Sequence, residues 1–376
     1  MACLAAASGG AVALCDERAA LRRRRGRGAR LPARARGAHA RAGVASDAHA
    51  CDYAVVGASG RVGRLCVERL RALEPEARVR CLVRDAASAQ ARALEQLGVQ
   101  LVAGDLTEPR ARAELLEGGA RCVISTAGTV GRYRKLGDVL GDPATAPPCE
   151  DTSHPYKVNF VTQGALASEA AAAGAVRFVR VTGLTAGRGA FSLFTNIFNI
   201  VGCGTVRWQL EGERAIRASG VPEYVIVRPG ALTDGPPDYD GGDLLVGRAE
   251  ERPTEEGAST RVSRAAVADV VTAAARGEAA PNTTVSLAFA KAGTKAGGSG
   301  AAASDWRSRL RSMASDSFPL PTRPYRLAMA FWGTAVACLA GAALCLLLSK
   351  ALALANCLLA GVCQHSVLMP VVPGRR

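Results

Sequence analysis

The chain has 376 residues, with 47 Lys and Arg against 33 acids and a net charge of +14. Residues 1–50 hold 10 Arg and three acids, residues 305–376 hold eight bases and two acids, and the middle holds 29 bases and 28 acids. A near-neutral body with basic ends argues against a nucleic-acid-binding core, and a body this long needs no disulfide or metal staples to build one.

The 12 Cys are scattered without a CxxC pair, and the four His (His39, His49, His154, His365) do not cluster with them. Reduced, mostly buried thiols and no metal site are expected. Residues 1–50 are rich in Arg and Ala, lack Lys, and include the run Arg22-Arg23-Arg24-Arg25. They read as a disordered organelle transit peptide, chloroplast or mitochondrial, with a basic arm as the alternative.

The body, residues 51–290, alternates apolar strands with amphipathic stretches. Strands are expected at 53–57, 78–83, 99–103, 121–125, 176–182 and 223–228. Helices are expected at 61–74, 86–97, 110–117, 158–173 and 206–219. The alternation predicts an α/β fold with a doubly wound parallel sheet. Residues 191–200 hold three of the eight Phe and read as an apolar loop, either a substrate lid or a docking patch.

Residues 291–323, opening with Lys-Ala-Gly-Thr-Lys-Ala-Gly-Gly-Ser-Gly, read as a flexible linker. Residues 327–349 then run 23 positions without a charge, long enough for a transmembrane helix. A membrane anchor is expected within 324–373, with one span or two, because 351–373 is also mostly apolar. Five Arg (307, 309, 311, 323, 326) precede the first span and Lys350, Arg375 and Arg376 follow it. This bias puts the body on the stromal or matrix side.

The sharpest motif is Gly57-Ala58-Ser59-Gly60-Arg61-Val62-Gly63, after a strand and at a helix start. Gly57 permits a tight turn, Gly60 lets the backbone approach a pyrophosphate, and Gly63 lets helix and strand pack closely. That chemistry predicts a bound dinucleotide. At the end of the second strand stands Arg84, where an acid would bind a ribose 2′-hydroxyl. A guanidinium there can pair with a 2′-phosphate, so NADP(H) is expected in preference to NAD(H). Arg64 is a second cation nearby, and Asp85 falls one residue late.

The spacing Gly-x-x-Gly-x-x-Gly resembles the extended and atypical short-chain dehydrogenase/reductases. Gly104-Asp105-Leu106, Ser125-Thr126-Ala127-Gly128 and Gly174-Ala175-Val176-Arg177-Phe178-Val179 extend the likeness. Most specific are Leu210-Glu211-Gly212-Glu213 and Arg228-Pro229-Gly230-Ala231-Leu232-Thr233-Asp234-Gly235-Pro236, followed by Val262-Ser263-Arg264. These resemble NmrA-like NAD(P)-binding proteins of plants, algae and cyanobacteria. The resemblance implies a Rossmann-like fold, an adenine contact at Asp105 and Leu106, and cofactor contacts at Ser125, Thr126 and Ala127. It also favours the plastid, with the anchor in a thylakoid or envelope membrane.

The family's Tyr-x-x-x-Lys pair is missing. Four residues after Tyr53, Tyr133, Tyr156, Tyr224, Tyr239 and Tyr325 stand Gly57, Gly137, Phe160, Arg228, Asp243 and Met329. Thr182 stands where the family has its catalytic Ser, and Lys157 and His154 are further acid–base candidates. Two readings stand: a membrane-anchored NADPH-dependent oxidoreductase on a small or lipophilic substrate, and a non-catalytic NADP(H)-binding sensor or scaffold of a membrane complex.

Overall fold

The chain divides into two units, Met1–Ser46 and Asp47–Arg376. The computed structural model describes residues 49–130, 152–235 apart from 188 and 190, 244–248, 258–259, 261–290, 306–316 and parts of 328–355. The expected transit peptide, nearly all of 1–50, lies outside the described residues.

Eleven strands are described: β1 (Cys51–Val56), β2 (Val79–Val83), β3 (Gln100–Ala103), β4 (Ala120–Ser125), β5 (Arg177–Val181), β6 (Glu223–Pro229), β7 (Ala231–Thr233), β8 (Leu244–Arg248), β9 (Ala258–Ser259), β10 (Arg261–Ser263) and β11 (Thr283–Ala290). Nine form one sheet in the order β3-β2-β1-β4-β5-β6-β11-β8, with β9 also on β11. The pairs from β3 to β11 are parallel, and β8 and β9 join β11 antiparallel. The doubly wound parallel sheet is therefore present, with an antiparallel edge that the sequence pattern did not mark.

The helices are α1 (Arg61–Leu73), α2 (Ala89–Glu95), α3 (Pro109–Leu115), α4 (Thr162–Ala172), α5 (Leu193–Val201), α6 (Thr205–Arg217), α7 (Arg264–Ala275) and α8 (Trp306–Ser312). A π-helical turn, Tyr156–Val161, leads into α4. Strand β1 shows why its sequence is apolar throughout. Tyr53 and Val55 face one core with Leu70 of α1, Leu94 of α2 and Val270 of α7. Ala54 and Val56 face the other with Leu115 of α3, Leu166 of α4 and Ile216 of α6. A sheet covered on both faces has no polar side to write into the sequence. Ser263 caps α7 as its position suggested, its Oγ accepting from the Ala266 amide at 3.1 Å.

Two sequence expectations change. Residues 191–200 are mostly helix α5, and α5 is turned against the usual rule: Thr195, Asn196 and Asn199 are buried while Leu193, Phe194, Ile197, Phe198 and Val201 are exposed. The Asn199 carboxamide explains the inversion, since its Oδ1 accepts from the amides of Val206 and Arg207, both at 3.1 Å, and so caps α6. The linker expected over 291–323 also contains ordered structure. Leu310 of α8 is fully buried in the core of the sheet. Asp316 accepts from the Thr284 amide at 3.0 Å, the Thr284 hydroxyl at 2.6 Å and Arg217 at 3.3 Å. Residues within 306–316 therefore pack on the sheet.

Of the expected span 327–349, parts are described and helical; residues 341–350 are helical and exposed. Among the described residues no helix is long and apolar enough to cross a membrane. The remainder of the span lies outside them.

Candidate functional site

The site forms where β1 and β4 part, at the carboxyl ends of the strands, the crevice where doubly wound sheets bind ligands. Gly57 turns the chain out of β1 at φ +80°, and the Gly60 amide donates back to the Gly57 carbonyl at 2.9 Å. Helix α1 starts at once, with Gly60 at its N-cap and no side chain to occupy its first-turn amides. A Cβ on Gly57 would lie 2.7 Å from the Ala127 amide, and one on Gly63 would lie 2.1 Å from the Gly57 carbonyl oxygen. The backbone is thus bare and close where an anion would meet the positive helix end. The Thr126 hydroxyl clamps the second wall, donating to the carbonyls of Val56 (3.1 Å) and Gly57 (3.2 Å).

A cleft of about 400 Å³ opens above this turn. Among its lining residues, Gly57, Ser59 and Gly60 follow β1, in the middle of the strand order β3-β2-β1-β4; Arg84 follows β2, Asp105 and Leu106 follow β3, and Thr126 and Ala127 follow β4. Eight of the predicted cofactor residues thus share one cleft. Volume, glycine turn and polar ends fit an extended dinucleotide.

The other four predicted cofactor residues support it from outside. Gly63 packs on the turn, and half-buried Val62 packs on the core. Arg61 pairs with Asp234 at 3.0 Å, and Asp234 also takes Arg264 at 2.6 Å. Ser125 is fully buried behind the wall, donating to Gln163 Oε1 at 2.8 Å. The second-strand end separates its two charges. Asp85 Oδ1 is turned to the Ala87 amide at 2.8 Å, whereas Arg84 is exposed and lines the cleft. Asp105 likewise holds its own turn, accepting from the Thr107 amide (2.8 Å) and hydroxyl (2.6 Å). Arg64 pairs with Glu68 at 2.7 Å on the outer face of α1.

The catalytic candidates sit elsewhere. Neither Thr182 nor Lys157 is among the residues lining the cleft. The Thr182 hydroxyl donates to Glu213 Oε1 at 2.8 Å. Lys157 lies in the π-helical turn, between Tyr156, whose ring packs 4.8 Å from Trp208, and Val158, which does reach the cleft. His154 Nδ1 accepts from the Tyr156 amide at 3.1 Å and so caps that turn.

The structure adds residues that the sequence did not single out. Asn159 is buried; it donates to the Thr129 carbonyl at 2.8 Å and accepts from the Thr129 amide at 3.0 Å. It fixes the lip of the cleft to the π-helical turn. Glu213 is fully buried between Arg228, at 3.0 Å, and Arg217, at 3.3 Å. Burial opposes its ionisation, but the two guanidiniums and the Thr182 hydroxyl outweigh burial and hold the carboxyl down at about 2. Arg180 is fully buried too. Its guanidinium donates to the Ser125 Oγ at 3.0 Å and to the Ala127 carbonyl, and burial pulls it down to about 10. The only signal for it was an Arg within an apolar strand, which a chain with 42 Arg makes faint.

Residues 57–278 match the family described as NAD(P)H-binding. Among curated proteins, "Protein TIC 62, chloroplastic" of Oryza sativa subsp. japonica is 31% identical over 185 residues, covering 47% of this chain. The matched part is 34% of that relative's own length, so the chain spans about a third of it. Solved structures with the same likeness include the anaerobilin reductase ChuY of Escherichia coli O157:H7, 24% identical, covering 65% of this chain and 98% of that one at a TM-score of 0.45. A short-chain dehydrogenase/reductase of Veillonella parvula in complex with NADP is 14% identical, covering 65% and 96% of the two chains at a TM-score of 0.45. With its Gly57–Gly63 turn, the cleft above it and a family match over more than half its length, the chain belongs to the NAD(P)H-binding family.

Proposed function

We propose that the protein is a membrane-anchored, plastid NADPH-dependent oxidoreductase acting on a lipophilic acceptor. The observation that carries this reading is the exposed apolar face of α5. At one end, Gly202 meets Val130, next to the cleft lip at Thr129: a Cβ on Gly202 would lie 3.1 Å from Val130 Cγ1. At the other end, Phe191 meets the start of the C-terminal apolar helix, with Trp332 Nε1 donating to the Phe191 carbonyl at 3.1 Å and the Phe331 ring 6.3 Å away. Beyond it, Leu344, Leu346, Leu347 and Leu348 point outward around the helix, as expected of a membrane segment. An exposed apolar face that runs from Phe191 toward the lip of the cleft supports a lipophilic acceptor. The likeness to a chloroplastic relative supports the plastid.

When bound, the cofactor supplies hydride chemistry, and the residues of this chain bind and orient it. Gly57, Ser59 and Gly60 would hold the pyrophosphate, Arg84 the 2′-phosphate, and Thr126 and Ala127 the nicotinamide half. With Thr182 bonded to Glu213, an acceptor such as a quinone, which takes its protons from water, suits the site better than a ketone needing a protein acid. The same commitment of Thr182 favours the second reading, an NADP(H)-binding scaffold without turnover. Full-length protein assayed for NADPH oxidation against quinones and enones distinguishes the two. Turnover of at least one quinone is expected; tight NADPH binding with no turnover on any acceptor would establish the scaffold reading instead.

Arg84→Ala is expected to weaken NADPH binding at least tenfold and leave NADH binding within twofold, because only NADPH offers the phosphate that a guanidinium pairs with. Parallel calorimetric titrations check this.

A further inference from the structure

Arg180 is a cation in an unusual place. It lies on β5 directly behind the cleft wall, 1% exposed. It donates to the Ser125 carbonyl at 3.3 Å, the Ser125 hydroxyl at 3.0 Å and the Ala127 carbonyl. All three acceptors are neutral. The nearest carboxylate acting on it, Glu213, is already taken by Arg228 and Arg217. Asp316 offsets Arg217. Its own hydrogen bonds therefore bring no counter-charge to the Arg180 guanidinium, which is buried where water screens it least.

The described lining of the cleft brings no acid to the β4 side, where Ala127 lies. Asp105 is the one acid among the described residues that line it, and it stands with Arg84 at the far end. Beside Ala127 in the chain, the described lining is Thr126, Gly128 and Thr129, all neutral. If the pyrophosphate sits on Gly57–Gly60 and the adenosine half lies toward Arg84, the nicotinamide half lies toward Ala127. That places it one peptide unit from the Arg180 guanidinium. The oxidised nicotinamide ring is a cation and the reduced ring is neutral.

We propose that Arg180 makes this site select the reduced cofactor, repelling the oxidised ring through the Ala127 peptide. This deepens the dinucleotide reading and rests on it. In a reductase the selection would speed release of spent cofactor; in a scaffold it would make occupancy report the reduced fraction of the pool. Each tenfold preference for the reduced form raises the potential of the bound two-electron couple by about 30 mV.

The test is titration of the full-length protein with NADPH, NADP⁺ and 2′,5′-ADP, which carries the adenosine half alone. Wild type is expected to bind NADPH at least tenfold more tightly than NADP⁺. Arg180→Met should cut that ratio at least fivefold and leave 2′,5′-ADP binding within twofold; Arg180→Lys, which keeps the charge, should keep most of the ratio. A general loosening of the wall would weaken both nucleotides together and leave the ratio unchanged, which would overturn the proposal. A wild-type ratio near one overturns it without any variant, so it stays testable even if Arg180→Met does not fold. If neither 2′,5′-ADP nor NADPH binds wild type, the dinucleotide reading itself fails.

Discussion

Gly63→Ala is expected to remove NADPH binding, by two orders of magnitude or more, and to lower stability as well. The added methyl carbon would lie 2.1 Å from the Gly57 carbonyl oxygen, 2.7 Å from the Gly57 carbonyl carbon and 2.7 Å from the Thr126 hydroxyl. Two of those atoms are backbone, so no side chain can swing aside. Helix α1 must move off β1, and the move opens the turn that presents Gly57 and Gly60 to the cleft. Forcing atoms into a filled space costs about 1–3 kcal/mol. Gly60→Ala is the internal control: its methyl would meet the Gly57 carbonyl at 3.1 Å, so a smaller loss of stability is expected there. Thermal unfolding and nucleotide titration of the two variants together check the ordering. Equal binding by wild type and Gly63→Ala would show that the turn does not hold the ligand.

The second large effect is expected at Glu213. Its carboxylate is fully buried and joins β5, β6 and α6 through Thr182, Arg228 and Arg217. Glu213→Gln keeps the shape and removes the buried negative charge that Arg228 and Arg217 face. Breaking a buried pair from one side costs about 3–5 kcal/mol, which for a domain of this size lowers Tm by about 10 °C. The pH dependence follows from the direction of the shift. The folded carboxyl is held down at about 2 against an ordinary 4.5, so the unfolded chain takes up the proton first as pH falls. The stabilisation is complete above about pH 4.5 and is lost between there and about pH 2. Wild-type Tm should fall through that window, and Glu213→Gln should fall less steeply because its contribution is already gone. Parallel slopes in melting curves from pH 6 to 2.5 would contradict this role.

Much of the site was legible because it is local. Gly57, Gly60 and Gly63 are needed by one turn, within seven residues, and the reason for each can be stated without knowing the rest of the chain. Arg84 was found the same way, at the end of a strand recognisable by its run of apolar residues, whereas Asp105 came from the family resemblance. Ser263 was readable as a cap because capping acts over three positions.

What the sequence hid is non-local. Glu213 and Arg228 are 15 positions apart, and nothing in either neighbourhood says that a strand Arg and a helix Glu meet in the interior. The packing of Leu310 and Asp316 was hidden because both follow a Gly-rich stretch that reads as the start of a tether. Helix α5 was read as a loop although Leu193, Phe194, Ile197, Phe198 and Val201 fall at helical spacing, and its buried side carries Thr195, Asn196 and Asn199 instead. Its inward side is fixed by Asn199, whose bonds to α6 are tertiary contacts of the following turn.

The most direct measurement is a pair of calorimetric titrations of the full-length protein, with NADPH and with NADH, run on wild type and on Arg84→Ala. The predicted result is one NADPH per chain, bound at least tenfold more tightly than NADH, with the difference lost in Arg84→Ala. NADH bound as tightly as NADPH by wild type, or an Arg84→Ala variant with its preference intact, would contradict the account.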